Sequence, residues 1–216
     1  MIAILAASIA ESAMASEFHF ESTPSIITGS AAGEAARIEI GATGSSTVIC
    51  NSTLFEGTGA VGSNTTSTIT LRPRYAECSW LEEPATVRTN DCATVFSAST
   101  DFQGDAPIQI ECAKESSIEI ESPSICTLKI GAQSPTNGVH YTNLGSGQQT
   151  RITAATTVTG ITFTKTGPLC FLVGGSEIRL TGGHNLFAYE DKGSPQANPT
   201  TPSGTLEGAQ RAVYWE

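Results

Sequence analysis

A chain of 216 residues is long enough for one sizeable core, or at most two small ones. Only 15% of it is charged and 39% hydrophobic, with Ser, Thr and Gly filling the remainder, which is not the highly charged composition of a disordered chain. The formal net charge of −10, from 11 Lys and Arg against 21 Asp and Glu, repels phosphate backbones and anionic lipids and argues against a nucleic-acid partner.

In chain order, the apolar run Met1–Ala10 is too short to span a bilayer, and Ala13-Met14-Ala15 offers a small-x-small cleavage pattern ahead of Ser16. Residues 1–15 are therefore expected to be a secretory signal, its basic leading segment lying further upstream. The competing reading is a buried N-terminal helix. No later segment is long or apolar enough to cross a membrane.

Short strand signals then follow one another. Phe18–Phe20, Ile26-Ile27, Ala36–Ile40, Val48–Cys50, Leu54-Phe55, Thr68–Leu71, Ala85–Thr89 and Thr94–Phe96 fill the first half. Ile108–Cys112, Ile118–Glu121, Cys126–Ile130, Val139–Thr142, Arg151–Ala154, Val158–Thr164, Glu177–Thr181 and Leu186–Tyr189 fill the second. Most are four to eight residues long with Gly, Ser, Pro or Asn between them, and none shows sustained helical periodicity. Alternation places Ile108, Ile110 and Cys112 on one strand face, and Cys126, Leu128 and Ile130 on another, with Gln109, Glu111, Thr127 and Lys129 turned to water. The expectation is an all-β domain over 16–191, an antiparallel β-sandwich or elongated β assembly with little or no helix.

Six cysteines, Cys50, Cys78, Cys92, Cys112, Cys126 and Cys170, include no Cys-x-x-Cys pair and have no histidine at finger-like spacing, so no metal site is expected. Three disulfides in an oxidising compartment account for them. Cys92 and Cys112 flank a hairpin that turns near Asp101–Asp105, and Cys50 and Cys78 flank a Gly- and Ser-rich excursion, which leaves Cys126 with Cys170. This sequential pairing is favoured, but sequence alone does not establish it.

Residues 192–210 hold Pro195, Pro199 and Pro202 among Gly and Ser and read as an extended loop. Residues 211–216 then form a short apolar strand. Ala212, Val213, Tyr214 and Trp215 either complete the chain's own sheet or exchange into a neighbouring copy, giving a homo-oligomer by edge-strand pairing.

Several short stretches carry a resemblance. Val48–Cys50 with Phe55–Gly57, Leu71–Cys78, Asn90–Cys92, Ile110–Cys112, Val139–Asn143 and Gly160–Thr164 resemble a group of uncharacterised secreted, six-cysteine, β-rich proteins of actinobacteria. The resemblance covers most of the chain before Cys170 and lapses after it. It implies export and a shared disulfide-bonded β fold, and it carries no catalytic residues over.

No catalytic pattern emerges from the residues themselves. There is no Gly-x-Ser-x-Gly elbow, and His19, His140 and His184 have no partner pattern. Glu119 and Glu121 share a strand face of the solvated kind, and Asp101–Asp105 has too few oxygen ligands for a calcium loop. No cofactor is expected. The functional expectation is a non-enzymatic secreted or cell-surface protein acting by binding or self-assembly, the alternative being a glycosidase-like hydrolase whose carboxylates meet only in three dimensions.

Overall fold

The computed structural model describes residues 17–20, 25–31, 35–41, 46–58, 64–98, 106–135, 138–144, 151–190, 210–211 and 213–215. The expected signal segment, the turn at 101–105, residues 192–209 and Ala212 lie outside them. The described chain is all-β and antiparallel. In chain order its strands are β1 Phe18–Phe20, β2 Ser25–Ala31, β3 Ala36–Ile40, β4 Ser46–Thr58, β5 Thr65–Thr66 and β6 Thr68–Trp80. Next come β7 Glu83–Arg88, β8 Cys92–Ser97, β9 Ile108–Cys112, β10 Ile118–Ser122, β11 Cys126–Ile130 and β12 Val139–Leu144. The last are β13 Arg151–Thr162, β14 Thr164–Thr166, β15 Glu177–Glu190, β16 Gln210–Arg211 and β17 Val213–Trp215. One short 3-10 turn, Cys170–Leu172, interrupts the strands.

The pairings run round a closed ring. Its positions, in sequence order, are β2 with β3, β4, β6, β7 with β8, β9 with β10, β11 with β12, β13 with β14, and β15. Each pairs antiparallel with the next. The last, β15, then pairs β2 and β3 at the first. Between β9 and β12 the ring is carried by two isolated bridges, Ala106 with Val139 and Ile110 with Gln133. Among the described residues the antiparallel pairings thus run round onto themselves, with the β9–β12 side joined only by those bridges.

Period-two alternation explains which side faces in. Ile38, Ile40, Val48, Leu71, Trp80, Ile108, Ile120, Leu128, Ile152, Val158 and Ile178 are buried and belong to one continuous core. Each such side chain contributes about 1.5–3 kcal/mol by leaving water. Trp80 is fully buried, its indole N–H donating to the Ser46 hydroxyl. The outer face carries cross-strand ion pairs, Arg74–Glu56, Arg88–Glu121, Lys129–Glu119 and Arg179–Glu39. A barrel that crosses lipid has an apolar band there instead. No helix among the described residues is long and apolar enough to cross a membrane.

Most ring positions are broken or bulged near their middle, and the breaks line up as a belt. β7 gives way to β8 through Asn90 at φ 46°, β6 kinks at Glu77 with φ 54°, and β13 bulges at Gly160 with φ 75°. Side chains replace the missing ladder bonds. Thr89 Oγ1 donates to the Pro73 carbonyl at 2.9 Å, and Asn90 Nδ2 donates to the Ser117 carbonyl at 2.7 Å. Gln133 imitates a strand residue: its Oε1 accepts from Thr162 N at 2.8 Å while its Nε2 donates to Thr162 O at 3.0 Å. Pro73 is tolerated within a 13-residue strand for the same reason. Its carbonyl, and hence its missing N–H, faces the break between β7 and β8, where no ladder partner is needed.

The first and last described strands join β5 in a small second sheet ordered β17-β1-β5. Phe18 and Phe20 of β1 are buried, and the Phe18 ring meets Tyr141 edge-on with centroids 5.2 Å apart. The β6–β7 hairpin turns on Leu81 and Glu82 alone, both left-handed at φ 52° and 68°. Asn-Gly is the usual occupant of such a turn.

Candidate functional site

The six cysteines form three bridges, Cys50–Cys78, Cys92–Cys112 and Cys126–Cys170, and no free thiol. The first two join residues directly opposite each other on adjacent strands, with Cα atoms 4.0 Å apart, and both lie at the belt. The third ties the start of β11 to the 3-10 turn between β14 and β15.

Val213, Tyr214 and Trp215 pair antiparallel with Phe20, His19 and Phe18. Just before them, Gln210 and Arg211 pair with Tyr189 and Ala188 of β15. The C-terminal segment is therefore held by main-chain pairing to both a ring strand and the N-terminal strand.

Glu119 and Glu121, which share a strand face in the sequence reading, lie on the outer face in ion pairs, while Asp101–Asp105 fall outside the described residues. Glu121 accepts from Arg88 at 2.6 Å and Glu119 from Lys129 at 2.7 Å. The hydrogen bond from Lys129 holds the Glu119 carboxyl below the usual carboxylate range. No cluster of three or more His, Cys, Asp or Glu suited to a metal occurs among the described residues.

His140 is exposed, but His184 is buried on β15, its ring edge-on to Phe55 at 4.6 Å. Among the described residues neither the His184 Nδ1 nor the buried Thr53 hydroxyl on β4 has a hydrogen-bond partner. Burial pushes the His184 pKa down to about 4, so the ring is neutral in the folded chain at neutral pH. Tyr75, directly across from Thr53, is pushed up to about 12 by burial. Tyr141 is raised further, its hydroxyl donating to the Ser97 carbonyl at 3.0 Å. These groups make a polar layer inside the ring. Alternation around His184 marks it as inward-facing, but Thr53 and Tyr75 lie just where the inward phase of β4 and β6 changes, which hid them from a pattern reading.

Sequence reasoning also missed an open depression of about 550 Å³ on the outer face, lined by Ser117, Lys129, Gly131, Gln133, Phe163 and Thr164 among others. It lies where β10, β11 and β13–β14 part at the belt.

Compared with family models, with curated proteins and with solved structures, the chain matches none.

Proposed function

We propose that this is a non-enzymatic extracellular or cell-surface β protein that works by binding and self-assembly, with the C-terminal strand as the assembling element. The observation that carries this reading is the pairing of β17 with β1, a three-residue ladder. Backbone bonds of that kind form equally well within and between chains. The sequence from 191 to 209, rich in Pro, Gly and Ser, could span roughly 60 Å if extended, enough to reach a neighbouring copy. The buried Phe18 and Phe20 keep β1 fixed on the ring as an acceptor for either strand. Three disulfides suit an oxidising compartment outside the cell, and the salt-bridged outer face suits water.

Deleting residues 211–216 tests it. The full chain should be larger than a monomer by light scattering and grow with concentration, while the truncated chain should be a folded monomer. Monomers in both cases, differing only in stability, would remove assembly from the reading.

A further inference from the structure

The depression at the belt falls within the ~300–1,000 Å³ typical of small-ligand sites, though it is open to solvent. Its floor is fixed, because the Gln133 amide is bonded both ways to the Thr162 backbone. Gly131 borders it at a position where neither crowding nor a positive φ calls for glycine. A Cβ built there meets nothing within 4 Å, and its φ is not among the positive ones. A larger side chain at this position would enter the depression without meeting its walls at Cβ.

The lining indicates what would fit. Lys129, the cation on the rim, is compensated by Glu119 at 2.7 Å, so an ionic ligand finds no free counter-charge. A chain of net charge −10 also repels anions. An extended peptide would need free main-chain donors and acceptors, and Gln133 already occupies those of Thr162. What remains is a half-buried Phe163 ring, hydroxyls at Ser117 and Thr164, and a charge-compensated pair able both to donate and to accept.

We infer that this depression binds a neutral sugar unit of an oligosaccharide, its apolar face against Phe163 and its hydroxyls shared among Ser117, Thr164 and the Lys129–Glu119 pair. This deepens the binding half of the function proposed above and does not depend on strand exchange, because the depression lies on the ring and not on the terminal sheet.

The test is a titration of the full-length protein with cellobiose, maltose and N,N′-diacetylchitobiose, followed by backbone amide chemical shifts. At least one sugar should shift residues 117, 129–133 and 162–164 selectively. Gly131→Phe, which fills the depression from an exposed position, should weaken that binding about tenfold or more, a change of ~1.4 kcal/mol. Thr164→Val, which alters one exposed hydroxyl, should weaken it less and serves if Gly131→Phe fails to fold. Shifts by none of the three sugars, shifts elsewhere, binding unchanged in both variants, or selective shifts by a Val-Thr repeat peptide instead would each overturn the inference. None of these results would alter the light-scattering comparison of full-length and truncated chains.

Discussion

The ring and the terminal sheet are built from the same kind of strand but held in different ways. The ring closes on itself, carries two disulfides at its belt and one at its turn end, and replaces missing ladder bonds with side chains. The terminal sheet has no covalent link of its own, pairs β1 with β17 over three residues and with β5 over two, and ends on the edges of β17 and β5. Ring pairing covers most strand edges among the described residues, whereas β17 and β5 end the terminal sheet. The two regions therefore differ in how firmly they are held, and the strand exchange proposed above would draw on the less firmly held one.

The strongest way to break this contrast is to unstaple the belt. Replacing Cys92 and Cys112 together with Ala should cost about 2–4 kcal/mol, read as a lower midpoint in denaturant with the three-residue β1–β17 pairing retained. Loss of the β1–β17 pairing at the same denaturant concentration would show that the two regions are not separable.

A pH series probes the ring alone. An unfolded His184 gains its proton below about 6.5, whereas the folded one resists until about 4, so the unfolded chain binds more protons in between. The stability that His184 confers by staying neutral is full above about pH 6.5, is lost as pH falls towards about 4, and levels off below. The loss is on the order of 3 kcal/mol. His184→Phe should flatten that part of the profile in chemical denaturation, and an unchanged slope would mean that another group sets it. A smaller effect is expected at Gln133. Gln133→Ala leaves the Thr162 backbone groups to water and should cost about 1–2 kcal/mol with no change in oligomeric state.

Much of the ring could be read from alternation. The inward set Ile108, Ile110, Leu128 and Ile130 and the outward set Gln109, Glu111 and Lys129 are burial patterns that period two dictates. The strands were read as shorter than they are, because Pro73 divides β6 and Gly182-Gly183 divides β15 in any local reading, and only the neighbouring strands explain why these residues are tolerated. Closure was not legible either, since the pairing of β15 with β2 and β3 joins segments more than a hundred residues apart. The candidate site was hidden for a related reason. Gly131 looks like an ordinary turn residue until β10, β11 and β14 are seen to part around it.

Native-state hydrogen exchange tests the division between ring and terminal sheet most directly, because it reads the opening energy of each region in one sample. The hydrogen-bonded amides of β4, β6, β8 and β9 should exchange only through global unfolding. Those of Phe18–Phe20 and Val213–Trp215 should open with a distinctly smaller free energy and little dependence on denaturant. Equal protection in the two regions, falling together as denaturant rises, would contradict the account.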